Sequence, residues 1–352
     1  MRTTGTWRLA IGVIAALAVS IGATACGSSS SSGADTSATT PKRETLTVAL
    51  DWVPNTNHTG IYVAKAKGYF DAQNIDLKIL PYSGASTDVL VSQGKADLAI
   101  SFVPSVLVSR AAGIDVKGVA AVMSRNTEAL VVLANSKFKT PKDLATGTTY
   151  GGFGLPYEEP TWTALIKADG ATNVDFKSVT LNTAAYEALY KDKIDWSALF
   201  LGWEAIEAKQ RGIDLRLFPL PKYLGAAGDY PSTILVSSDA TIAKKADLLK
   251  RGLAALSQGY TFAAENPAEA AQILIDENPE LQKNTKLVKA SADYLAPVYV
   301  GDSPQWGVFK PEPWTDLGTV LSKAGALKDA GGTPVPNPDF TTYWTNDLLP
   351  AK

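Results

Sequence analysis

Cysteine and histidine each occur once in this chain, at Cys26 and His58. A single cysteine excludes an internal disulfide, and it leaves the chain beyond residue 26 without a thiol nucleophile or a cysteine-based metal site. A single histidine excludes a catalytic histidine pair and a multi-histidine metal site. Any Ser-His-Asp triad would have to use His58 itself, and no Gly-x-Ser-x-Gly elbow supplies the serine. Basic charge is not in excess either. The formal net charge of -2 offers no field for a polyanion, so no nucleic-acid partner is expected. Beyond residue 26 no apolar run is long enough to form a transmembrane helix. Neither a metal nor a cofactor is expected.

The N-terminus carries a processing signal. Arg2 and Arg8 give a positive start, residues 9–21 are apolar and small, and Ala23-Thr-Ala-Cys26 closes the stretch. The ending resembles a lipobox, with Ala23 where leucine is usual. Residues 1–25 are therefore read as a lipoprotein signal peptide and Cys26 as the lipid-modified residue. The alternative is a plain secretory signal with an incidental cysteine. Residues 26–43 are rich in Ser, Thr, Gly and Ala and read as a flexible tether, which suits a domain held at the membrane on its extracytoplasmic side.

About 300 residues remain, enough for two α/β domains or one large one. Strand signals at 46–50, 76–80, 98–101 and 116–123 alternate with helices that stop at Gly68 and Gly94. A second series follows, with strands at 129–134, near 148–150, at 176–180 and 198–201, and a long one at 230–237. Helices at 160–168 and 184–191 lie between them. Only helical patterns come after, at 246–265, 267–277, 283–294 and 314–324. Such alternation predicts an α/β protein whose mainly parallel sheet is flanked by helices.

Asp51 to Phe70, DWVPNTNHTGIYVAKAKGYF, is the most informative stretch. A strand breaks at Pro54 and Asn55 to Asn57, then a helix begins near Thr59, the geometry that leaves free backbone N–H groups at the carboxyl edge of a sheet. Trp52 offers a flat apolar face there, and Asp51, Asn55 and His58 offer hydrogen-bonding groups. Trp52 could instead be core and His58 a capping residue. Four further places are candidate cleft material. Tyr82-Ser-Gly-Ala-Ser-Thr87 is hydroxyl-rich, although Ser and Gly also cap helices. Tyr150-Gly-Gly-Phe-Gly154 permits close backbone approach at Gly152 but has no Gly-Lys-Ser/Thr, and Glu158 and Glu159 beyond it disfavour a bound phosphate. Trp203-Glu204 sets a carboxylate beside an aromatic ring at a strand's end, where Glu204 could also serve the helix dipole. Asp229, in Gly228-Asp-Tyr-Pro231, is explained as well by turn chemistry. Tyr186, at the start of a helix, could face either way.

The opening motif closely resembles the thiamin-pyrimidine precursor-binding proteins, solute-binding components of bacterial ABC importers, a family that shares its fold with yeast thiamin-pyrimidine synthase. Weaker resemblance runs through most of the chain. It implies a two-lobed type II periplasmic binding protein: lobe 1 from 44–131 and 234–352, lobe 2 from 132–233, with crossings near 130–133 and 233–236 and the ligand between. It also implies an ABC permease with its ATPase as partners, a monomeric receptor and a pyrimidine ligand. Glu204 would meet the exocyclic amine while the ring stacks on Trp52 or Trp203. Related proteins bind riboflavin or other aromatic heterocycles, which is the alternative ligand. The rival class is the synthase itself, which carries a pyridoxal-linked lysine and a sacrificial histidine. Ser101 and Ser105 stand at the positions matching its lysine-and-histidine segment, and its cysteine-rich stretch falls near 228–232, where this chain has no cysteine. The resemblance therefore implies a binding protein rather than an enzyme, with Ser101 joining the candidate ligand set.

Overall fold

The computed structural model describes residues 43–351; the expected signal peptide 1–25, Cys26 and the tether up to residue 42 lie outside the described residues. The strands, in chain order, are β1 Glu44–Ala49, β2 Ile75–Leu80, β3 Leu98–Ser101, β4 Lys117–Ala121 and β5 Glu128–Leu133. They continue with β6 Thr146–Gly152, β7 Asp175–Thr180, β8 Trp196–Phe200, β9 Leu215–Pro219 and β10 Ile234–Ser237. They form two five-stranded sheets, ordered β2-β1-β3-β10-β4 and β7-β6-β8-β5-β9.

In the first sheet β10 alone opposes its neighbours, and in the second β5 does, so each sheet has four strands running one way. The reversed strands are the ones by which the chain changes sheets. A helical crossover returns a strand parallel, whereas a short direct passage enters antiparallel. All four residues of β10 and of β3 are buried, so their apolar runs are the centre of the first sheet rather than a half-exposed face.

Three expectations need correction. A division after residue 131 would cut β5, which lies whole in the second sheet; the outward passage is 122–127. The long strand expected over 230–237 begins only at Ile234, because the residues before it form the return passage. There the Val122 N–H donates to the Thr233 carbonyl at 3.0 Å, and the Thr127 and Ser232 hydroxyls lie 3.0 Å apart. Strand β9 has no counterpart among the strands expected from sequence. Arg216 and Pro219 disguise it, and the Arg216 guanidinium donates to the carbonyls of Phe138 and Ala134 at 2.7 and 2.9 Å.

The C-terminal helices Asp239–Glu265 and Pro267–Glu277 pack on the helix Thr59–Ala66 of the first lobe. The next two reach further than residues 234–352 of a first lobe would. Helix Thr285–Tyr299 also touches helix Glu204–Gln210, and helix Pro311–Lys323 touches both Val103–Ala111 and Glu158–Ala168. Trp314, Leu317 and Leu321 of that helix share a core with Leu107 from one lobe and Trp162 and Leu165 from the other. Among the described residues no helix is long and apolar enough to cross a membrane.

Candidate functional site

Between the two sheets lies a cleft of about 490 Å³. Its first-lobe wall starts where β1 ends. Asn55 caps the single turn Thr56–His58 by accepting the Asn57 N–H at 2.8 Å, and the Asn55 N–H donates to Nδ1 of His58 at 3.3 Å. With Nδ1 accepting, Nε2 is the N–H donor, and it lies 2.8 Å from Oδ1 of Asp51. His58 is fully buried and does not line the cleft; it fixes the loop and aims Asp51. Two tyrosine hydroxyls hold the same loop from behind, Tyr299 on the Thr56 carbonyl at 2.7 Å and Tyr260 on the Asn57 carbonyl at 2.8 Å. Asp51, Trp52, Asn55 and Tyr82 all line the cleft, and the Trp52 and Tyr82 rings meet at 4.7 Å with planes 40° apart.

Ser101 lines the floor, but its hydroxyl donates at 2.6 Å to Asp88, which also accepts from Ser105 at 2.8 Å and Ser109 at 2.7 Å. Three hydroxyls thus satisfy one buried carboxylate. Phe102 and Phe200 stack across the cleft from opposite lobes, with centroids 6.3 Å apart and planes at 26°.

On the second lobe, β6 ends in the glycine-rich turn. Gly154 takes φ +74°, and a Cβ there would meet the Thr180 hydroxyl at 2.4 Å, so the turn requires glycine twice over. Three successive N–H groups, of Phe153, Gly154 and Leu155, converge on the Glu158 carboxylate at 3.0, 2.8 and 3.1 Å. Such a nest is an anion site, and here the protein's own carboxylate fills it. Gly152 does not line the cleft. A Cβ on it would run into the Tyr150 hydroxyl at 2.2 Å, so its glycine serves packing instead.

Glu158, Tyr186, Trp203 and Glu204 line the second-lobe wall. Glu204 opens its helix and accepts the Phe200 N–H at 3.1 Å. Burial, opposed by that bond, pushes its carboxyl up to about 7. Burial also pushes the Tyr186 phenol well above its ordinary value. Asp229 stands apart: it accepts the Asn126 N–H at 3.3 Å in the sheet-to-sheet passage and does not reach the cleft. Its role is the turn that its sequence context also allowed.

The sequence did not point to Glu128, Phe102, Phe200 or Tyr157, all on the cleft. Glu128 heads β5 directly across from Phe200 and accepts from the Tyr230 hydroxyl at 2.7 Å. Burial, opposed by that hydrogen bond, raises its carboxyl to about 7. A charge just before an apolar run reads as a strand boundary, which hid it. Ser291 ties the two walls together, its hydroxyl 2.6 Å from that of Thr56 and donating to the Gly202 carbonyl. Among the described residues no lysine, arginine or histidine lines the cleft. Among the described residues no group of histidine, cysteine, aspartate and glutamate could hold a metal ion.

Comparison with known proteins agrees with this architecture. The chain is 30% identical over 242 residues to the formylaminopyrimidine-binding protein of Halalkalibacterium halodurans, covering 67% of this chain and 72% of that one. It is 24% identical to a 4-amino-5-hydroxymethyl-2-methylpyrimidine phosphate synthase of Legionella pneumophila, covering 67% and 75%. The periplasmic aliphatic sulphonate-binding protein of Escherichia coli superposes with a TM-score of 0.62 at 16% identity, over 84% of this chain and 94% of that one. Residues 55–270 match the model of the family described as NMT1/THI5 like. The chain has the two-lobed α/β fold of the periplasmic binding proteins and belongs to the NMT1/THI5-like family.

Proposed function

We propose that this protein is the solute-binding lipoprotein of an ABC importer, capturing a thiamin pyrimidine precursor of the hydroxymethylpyrimidine or formylaminopyrimidine type and handing it to the permease. The observation that carries this reading is the chemistry of the cleft wall. Aromatic rings from both lobes, Trp52, Tyr82, Phe102, Phe200 and Trp203, surround carboxylates, and among the described residues no cationic side chain stands with them. A flat, uncharged or cationic ring with an amino group fits such a wall, stacking on an indole and donating to Glu204. A phosphate does not fit. The N–H nest that could receive one is filled by Glu158.

The same filling argues for a receptor and against a synthase that handles phosphorylated compounds. Ser101 and Ser105 stand where the synthase's lysine-and-histidine segment would be, and both are committed to Asp88. Transport needs no chemistry at the cleft, only differential affinity for a closed form.

Calorimetry with 4-amino-5-hydroxymethyl-2-methylpyrimidine, its formylaminomethyl counterpart and riboflavin tests the ligand. Either pyrimidine should bind one to one. Glu204→Ala leaves the amine unpaired at a cost of about 2 to 3 kcal/mol, so affinity should fall roughly thirty-fold or more. An unchanged affinity removes Glu204 from the site, and tight riboflavin binding without pyrimidine binding replaces the ligand. The anchor is tested separately. Cys26→Ser should move the protein from the membrane to the soluble fraction, and equal membrane retention of both forms would refute lipidation at Cys26.

A further inference from the structure

We infer that Glu128 is a second ligand-recognition carboxylate, which shares a proton with a weakly basic ring nitrogen on the edge of the ligand remote from the amino group held by Glu204. The inference rests on the pyrimidine capture proposed above and adds to it a second contact and a proton taken from solvent.

The placement comes from strand pairing. Glu128 sits directly across from Phe200 in the antiparallel pair β5–β8, and Glu204 reaches back to the Phe200 N–H. The two carboxylates therefore bracket one aromatic residue of the cleft floor. A ring lying against Phe200 meets a carboxylate at each of two edges. The Glu128 carboxylate accepts from the Tyr230 hydroxyl, the Asn126 side chain also favours its ionised form, and its own N–H donates to Asn126 Oδ1 at 2.6 Å. A carboxylate has room for several donors, so acceptor capacity remains for a ligand.

Among the described residues the lining around Glu128 supplies no counter-charge. On its own lobe it faces Glu158, Glu204 and the phenols of Tyr150, Tyr157, Tyr186 and Tyr230. Asp51 lies on the opposite wall with Asp88 behind Ser101, and among the described residues no lysine, arginine or histidine lines the space. Two carboxylates so placed do not both ionise freely, and burial raises each to about 7. One proton held between Glu128 and a ring nitrogen of the ligand, with none on Glu204, resolves the conflict. The loaded cleft then holds one proton, shared between Glu128 and the ring nitrogen, with Glu204 ionised against the amine.

The proton count fixes the shape of the affinity profile. In acid the empty cleft carries protons on both carboxyls and must release one to bind. In alkali it carries none and must take one up from solvent. Affinity for 4-amino-5-hydroxymethyl-2-methylpyrimidine should therefore peak near pH 7 and fall toward about tenfold per pH unit on either side. Glu128→Gln can still meet the neutral nitrogen through its amide N–H. It should keep the acid limb and lose the alkaline one.

The test is calorimetric titration from about pH 5 to about pH 9, in buffers of differing ionisation enthalpy so that proton uptake is read directly. A native alkaline limb with proton uptake, abolished in Glu128→Gln, supports the assignment. As a control that needs no mutation, the carbocyclic analogue with CH in place of the ring nitrogens should bind the native protein without an alkaline limb. A flat alkaline profile in the native protein, or a limb that survives in Glu128→Gln, overturns the role of Glu128 and leaves pyrimidine capture standing. Absence of binding at every pH overturns both.

Discussion

Glu158 occupies the position where the backbone of the glycine-rich turn would otherwise welcome an anion. Its removal should expose the nest. In Glu158→Ala the N–H groups of residues 153–155 lose their acceptor, and stability should fall by about 1 to 3 kcal/mol in urea unfolding. Added phosphate should then raise the urea midpoint of the variant and not of the native protein; no such difference would mean the nest is not an anion site. Glu128 and Glu204 make a different prediction. Both carboxyls are raised in the folded protein to about 7, so each is held better protonated in the native state than unfolded. Their contribution is fully present below the ordinary glutamate range and is lost as pH rises through about 7. Between about pH 5 and pH 8 the ligand-free Tm should fall more steeply for the native protein than for the double variant Glu128→Gln/Glu204→Gln, and parallel curves would contradict the shifts. At this scale the sequence was legible where residue type and local order agree. Asp51, Trp52 and Asn55 sit in a polar break between strand and helix, and the break lines the cleft. Gly152 and Asp229 misled because a glycine that packs and a glycine that yields to ligand look alike, as do a turn aspartate and a cleft aspartate.

Helix Thr59–Ala66 carries the opening loop, and its seat on helix Asp239–Glu265 depends on two glycines. A Cβ on Gly259 would stand 2.1 Å from the Gly60 carbonyl, and one on Gly60 would strike the Tyr260 ring at 2.2 Å. The helices can approach this closely only because neither bears a side chain there. Tyr260 in turn stacks on Trp306 at 4.9 Å and bonds the Asn57 carbonyl, so the contact extends to the cleft. Gly259→Ala should destabilise the protein by about 1 to 3 kcal/mol in urea and loosen the opening loop. A neutral effect would show that the helices can part without cost. Elements with strong periodicity, such as Pro267–Glu277 and β3, lie where their apolar spacing puts them. Strand β9 escaped because an arginine and a proline interrupt it. The residues before β10 read as strand because an apolar passage between sheets has the same composition as a buried strand. The pairing of Glu128 with Phe200 is a matter of register between segments about seventy residues apart, which local pattern does not encode.

The whole molecule joins two sheets by two short passages, 122–127 and 229–233, but these are not its only links. Helix Pro311–Lys323 packs on both lobes, and Ser291 bridges the opening loop to Gly202. Ligand-driven closure should therefore be a modest rotation about the passages. Small-angle scattering should give a slightly smaller radius of gyration with saturating pyrimidine than without, and identical profiles would rule out a closing receptor. Capture of an intact pyrimidine in the cleft can be read by native mass spectrometry of the gently purified protein. The spectrum should show one non-covalent aminopyrimidine per chain, released unchanged on denaturation and missing from Glu204→Ala. A bound flavin, a phosphorylated pyrimidine or a covalent adduct on the chain would contradict that capture.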